Sequence, residues 1–104
     1  MIRHIVLIRF RPEITELQID TIFRGLQELS FKLAGMLALT SGRSVSPEQI
    51  ERGYMHGFVA DFTDWEALDA YQNHPEHKRA GAALVAAAIG GIDGILVFDL
   101  LVSD

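Results

Sequence analysis

Two stretches of this chain alternate apolar residues onto both faces of a strand, and that pattern limits the architecture more than any other feature. In residues 2–10, Ile2, Val6, Ile8 and Phe10 share one face while Ile5 and Leu7 lie on the other. In residues 92–102, Ile95, Val97 and Leu101 stand opposite Leu96, Phe98, Leu100 and Val102. Successive side chains point to opposite faces of a sheet, so strands apolar on both sides must be covered on both sides.

The segments between supply the covering elements. Residues 13–33 carry Leu17, Ile22, Phe23, Leu26, Leu29 and Leu33 at helical spacing. Thr15 and Gln18 fit a capping box at its start, and Ile14 with Ile19 fits the hydrophobic staple around it. Ala34-Gly35 reads as the helix stop. A second strand is expected over 36–45, then a turn or short helix near 47–51, then a third strand over 54–62. Thr63 and Glu66 repeat the capping-box spacing and open a second helix that turns Trp65, Leu68 and Tyr71 inward. Asn73-His74-Pro75 interrupts it, with Pro75 suited to the first turn of an alanine-rich continuation over 76–89. Gly90-Gly91 ends that continuation.

The order β-α-β-β-α-β over 104 residues predicts one α+β domain, residues 1–104. Its fold class is a ferredoxin-like sandwich with a four-stranded antiparallel sheet, the first and third strands central and both helices on one face. Two helices cover one face only. With 49% hydrophobic residues, the other would expose far more than the few hundred Å2 of a monomer surface patch. Burying it gains roughly 25 cal/mol per Å2. A symmetric homodimer, sheet against sheet, is the simplest solution.

Composition removes several function classes. There is no cysteine, which excludes disulfides, thiolate metal sites and cysteine nucleophiles and suits a cytoplasmic protein. The net charge of -5 comes with interspersed signs, so no basic stripe exists for nucleic acid. Arg9 and Arg11 interrupt the N-terminal apolar run, which therefore fails as a signal peptide, and no apolar segment is long enough to span a bilayer. No Gly-x-Ser-x-Gly, Gly-x-Gly-x-x-Gly or phosphate loop occurs.

Four polar side chains interrupt apolar positions. His4 is in phase with Val6 and Ile8, and His56 with Tyr54, Phe58 and Phe62. On neighbouring strands the two histidines are expected side by side on one face. Tyr71 belongs to the inward stripe of the second helix, and His77 follows the Pro75 break. Three imidazoles and a phenol around one end of the space between sheet and helices could donate, accept and shuttle protons near neutral pH. Taken singly, each histidine reads more simply as a core residue hydrogen-bonded to backbone. A metal is not expected: His74 and His77 are separated by Pro75, and no carboxylate completes a set. His74 reads as the residue that opens the continuation helix.

Four segments carry a family resemblance. They are Ile2-Arg3-His4-Ile5-Val6-Leu7, Gly42-Arg43-Ser44-Val45-Ser46-Pro47-Glu48, Gly53-Tyr54-Met55-His56-Gly57-Phe58 and Tyr71-Gln72-Asn73-His74-Pro75-Glu76-His77-Lys78. Together they resemble the Dabb family, the stress-responsive dimeric α/β-barrel proteins, over essentially the whole chain. Ser44 and Ala34 depart from the residues common there, and both lie in turns. The resemblance implies a homodimer whose two sheets form a barrel, and it extends to olivetolic acid cyclase-like proteins, which close a linear polyketide by aldol condensation without metal or cofactor. The acid/base histidine and assisting tyrosine of that chemistry match His77 and Tyr71, and its two strand histidines match His4 and His56.

By that likeness the expected ligand is a small hydrophobic carbonyl or aromatic compound, with no cofactor. His77 would move the proton, Tyr71 would hydrogen-bond the carbonyl oxygen, and His4 and His56 would orient the substrate. Phe23 and Leu26 would supply apolar wall. The reaction would be a cyclisation, isomerisation or lyase step. Two other readings stand beside it: a non-catalytic ligand-binding or stress-protective dimer, and a cofactor-free monooxygenase of the kind found on related barrels.

Overall fold

The computed structural model describes residues 1–103. Its strands are β1 (Ile2–Ile8), β2 (Met36–Arg43), β3 (His56–Phe62) and β4 (Ile95–Leu101), and its helices α1 (Glu16–Glu28), α2 (Trp65–Asn73) and α3 (Pro75–Ala87). Single 3-10 turns follow α1 at Leu29–Phe31 and precede β4 at Gly91–Gly94. The sheet order is β2-β3-β1-β4 with every pair antiparallel. This is the ferredoxin-like sandwich expected, with β3 and β1 central. No described helix is long and apolar enough to cross a membrane.

Local chemistry sets the element ends. Thr15 Oγ1 accepts from the Gln18 N–H at 3.1 Å, while Gln18 Oε1 accepts from the Thr15 N–H at 2.7 Å, the capping box in full. From there α1 buries Ile19, Phe23 and Leu26 and ends at Glu28, earlier than the apolar stripe suggests. Leu17 lies on the opposite side of the helix from Ile19 and is 74% exposed.

The second capping box does not form. Asp64, not Thr63, caps α2, its carboxylate accepting from the Ala67 N–H at 2.9 Å. Asp64 accepts as well as Thr63 could, and the start moves one residue along. Trp65 becomes the first helical residue and is exposed, while Leu68 and Tyr71 turn inward. His74 ends α2 and opens α3. Its imidazole Nδ1 accepts from the Glu76 N–H at 3.1 Å, and Pro75 takes the first helical position. Beyond α3, Gly90 and Gly91 have φ of 72° and 66°, a left-handed turn that glycine adopts without penalty.

Gly35 has a different purpose from the helix stop expected of it. A Cβ there would collide with Ala67 Cβ of α2 and reach 3.0 Å from Thr63 Oγ1, so the glycine lets α2 close onto the start of β2. Gly35→Ala should therefore cost about 1–3 kcal/mol, the usual range for overpacking. The check is a lower denaturant midpoint with an unchanged m-value.

One sheet face lies under the helices. Ile2, Val6 and Ile8 of β1, Phe58, Ala60 and Phe62 of β3, and Met36 and Leu39 of β2 are buried there against Phe23, Leu26, Leu29, Leu68, Tyr71 and Leu84. The opposite face has no helix. Register places Ile5 beside Val59 and Phe98, and Leu7 beside Leu96. Within one chain Leu96, Phe98 and Leu100 are exposed, and Ile5, Leu7 and Val59 are only half-buried.

Candidate functional site

The helix side of the sheet is open at one end, where α3 and β4 diverge around a cavity of about 260 Å3. His4, Phe58, His77, Leu84, Ile95 and Val97 are among its walls. His4 points into this space because it shares strand parity with Val6 and Ile8. It is 4% exposed. Its Nδ1 donates to Oδ1 of Asp99 at 2.5 Å, across the register pair His4 and Asp99 on β1 and β4. A carboxylate only accepts, so this contact keeps a proton on Nδ1 and fixes the orientation of the ring.

His77, in the first turn of α3, is oriented by a different partner. Its Nδ1 donates to the Gln72 carbonyl at 3.2 Å, and Nε2 is left as the basic nitrogen. Burial holds the imidazole below the ordinary histidine value; nearby His4 and His74 add to this, and the Gln72 carbonyl opposes it. The unprotonated base is thereby favoured at neutral pH.

The sign of the linked stability follows from that direction. Between the depressed folded value and the ordinary one near 6.5, the unfolded chain binds a proton that the folded chain refuses. Stability contributed by neutral His77 is thus present above about pH 6.5 and declines as pH falls through the window. His77→Gln should flatten this part of the stability profile, measured by urea unfolding at stepped pH.

Tyr71 lies beside both histidines, its ring centroid 4.4 Å from that of His77 and 6.0 Å from that of His4. The side chain is fully buried and its hydroxyl has no hydrogen-bond partner among the described residues. Burial pushes the phenol well above its ordinary value, so it stays a neutral O–H. A buried, unsatisfied hydroxyl is unusual and costly, of order 1–3 kcal/mol.

The other residues singled out from the sequence lie elsewhere. His56 shares a face with His4 but is not its neighbour, because β3 runs antiparallel to β1. His4 pairs with Ala60, and His56 with Ile8, four residues further along β1. At about 3.4 Å per residue, that separation is roughly 14 Å. Parity could be read from the sequence; this offset could not. Phe23 packs in the core between Phe10 and Phe58, at centroid distances of 6.1 and 5.8 Å. Leu26 is a fully buried core residue, and neither it nor Phe23 is a wall of the cavity; Tyr71, packed behind His77, is not among the lining residues either. Among the described residues, no group of three or more histidine, aspartate or glutamate side chains is placed to hold a metal ion.

Asp99 is the site residue that reasoning from the sequence passed over. Its signal was present: it is the one charged residue of β4, and it is in phase with Val97. Glu16, the partner of His56, carried no such signal, since an acidic residue in a helix's first turn is ordinary.

A four-stranded antiparallel sheet with helices on one face and an apolar second face left open defines a small ferredoxin-like domain. Residues 2–102 match the stress-responsive A/B barrel domain family, Dabb, and the chain belongs to that family. A dimeric ferredoxin-like protein of unknown function from Jannaschia sp. CCS1 superimposes with a TM-score of 0.92 at 40% identity, over 97% of this chain and 98% of that one. The stress-response A/B barrel domain-containing protein HS1 of Arabidopsis thaliana is 29% identical over 98 residues, 94% of this chain and 86% of that protein. Olivetolic acid cyclase of Cannabis sativa is 29% identical over 80 residues, 77% of this chain and 79% of the cyclase.

Proposed function

We propose that two copies of this chain pair through their open sheet faces, and that each offers an apolar pocket for acid/base chemistry on a small carbonyl compound. The dimeric Jannaschia relative and the cyclase relative support the two halves of this reading. The observation that carries it is a buried tyrosine, its hydroxyl without a partner among the described residues, whose ring packs against an imidazole with a free basic nitrogen.

Nε2 of His77 takes a proton from the carbon next to the carbonyl. Tyr71 donates a hydrogen bond to the carbonyl oxygen as negative charge gathers there, and the electron pair of the broken C–H bond moves into the enolate. His4, fixed by Asp99, offers Nε2 to orient the substrate. In a conjugated substrate the enolate can be reprotonated by the His77 imidazolium at the far carbon. Otherwise it can attack a second carbonyl of the same molecule, whose new alkoxide takes that proton, or expel a leaving group from the adjacent carbon, which the same proton can neutralise. These outcomes are isomerisation, cyclisation and lyase chemistry. The apolar walls exclude water and favour a hydrophobic ligand.

Acetophenone is a suitable probe, because its size suits the cavity and its methyl protons exchange slowly unaided. In D2O the protein should accelerate deuterium incorporation at that methyl, followed by proton NMR. Exchange no faster than in buffer would argue for a dimer that binds ligand without catalysis.

A further inference from the structure

A second charged cluster sits at the far end of the sheet, and the chemistry above makes no use of it. His56 is 7% exposed, and its Nε2 lies 3.0 Å from both carboxylate oxygens of Glu16 in the first turn of α1. Arg43, in register with His56 at the end of β2, reaches the same carboxylate from Nη1 at 3.3 Å. These contacts hold Glu16 below the usual carboxylate range, the His56 hydrogen bond first among them.

Two cavities meet at this cluster. One of about 210 Å3 is walled by Phe10, Pro12, Ile14 and Met55. The other is about 80 Å3, and Glu16, Ile19, Arg43 and His56 border both. Other charged groups nearby have partners of their own. Arg11 pairs with Glu13 at 3.3 Å and Asp20 with Arg24 at 2.8 Å, while Glu51, which also feels the Arg43 charge, accepts from the Ser44 hydroxyl at 2.5 Å.

Two donors converging on one carboxylate, one of them deeply buried, form a carboxylate-recognising arrangement. Glu16 fills it imperfectly. Its side chain is 66% exposed, so the pair is screened by solvent and sacrifices rotamer freedom to persist. A ligand bearing a carboxylate on an apolar body would make the same two contacts and also bury its body against Phe10, Ile14 and Met55. We propose that His56 and Arg43 form a binding site for a small organic carboxylate, with Glu16 as its built-in competitor. The site is distinct from the His4 and His77 cavity, since Phe23 and Phe58 pack between them, and it does not depend on the proposed proton chemistry.

Benzoate is the probe, titrated into the full chain labelled with 13C and 15N and followed at the ring C–H of His56. Wild type should bind it weakly. Glu16→Ala, which removes the competitor, should bind at least tenfold more tightly, and Glu16→Gln should fall between. Adding Arg43→Met to Glu16→Ala should lose at least tenfold again. Both changes at Glu16 touch an exposed side chain, and the glutamine variant keeps its shape if the alanine one folds poorly. Equal affinity in wild type and the Glu16 variants overturns the proposal, as does a response at His4 and His77 without one at His56.

Discussion

His77→Ala should slow protein-catalysed deuterium exchange into acetophenone by about a hundredfold or more, the usual scale for removing a positioned general base. The expectation rests on the tautomer. A backbone carbonyl cannot donate, so the Gln72 contact commits Nδ1 to carrying the proton and leaves Nε2 as the one basic nitrogen. Burial lowers the imidazole's value and keeps that nitrogen unprotonated at neutral pH. Tyr71→Phe should slow exchange as well, through loss of the hydrogen bond to the enolate oxygen. It should also leave the fold intact or slightly more stable, because the hydroxyl it deletes has no partner among the described residues to lose. A drop in rate without a drop in stability is the combination that a purely structural tyrosine would not produce. Unchanged exchange in His77→Ala, with circular dichroism showing a native fold, would remove the histidine from the mechanism.

Phe98→Glu should convert the proposed dimer into a folded monomer. Phe98 lies mid-strand on β4, 55% exposed in one chain and in register with Ile5, so its ring stands over the open face. Pairing sheet on sheet about a two-fold axis uses each such position twice. Losing one buried phenylalanine forfeits about 1.5–3 kcal/mol. Placing an unpaired carboxylate in the same apolar contact adds several kcal/mol. Doubled by symmetry, the change should weaken association by at least a thousandfold, with sedimentation equilibrium as the measurement. The helix-side core is untouched, so unfolding should stay cooperative. A variant that remains dimeric would mean that the copies meet through some other surface.

Much of this molecule was legible in its sequence because much of it rests on short-range geometry. Side-chain alternation along β1 and β4 marked both faces of the sheet. The Thr15 and Gln18 spacing marked the start of α1, and the Pro75 and Gly90-Gly91 positions marked the limits of α3. Each of these depends on a few neighbouring residues. Errors appeared where two local solutions were nearly equal, as with Thr63 and Asp64 competing to cap α2. They also appeared where a residue answered to a distant one: Gly35 was reserved for Ala67, far along the chain, and not for the helix before it.

The candidate site divides along the same line. That His4, Val6 and Ile8 share a face follows from the two-residue period of any strand, and so does the in-phase placement of His56. Which residue stands opposite which is a matter of register, fixed by strand pairing across the whole chain. Register joined His4 to Asp99 and set His56 four residues away beside Ile8, where Glu16 and Arg43 could reach it. The sequence by itself therefore determined the two-faced sheet, its helical cover and the residue types able to move protons. Only the tertiary structure decided which of those residues meet, because alternation is local to a strand and register is not.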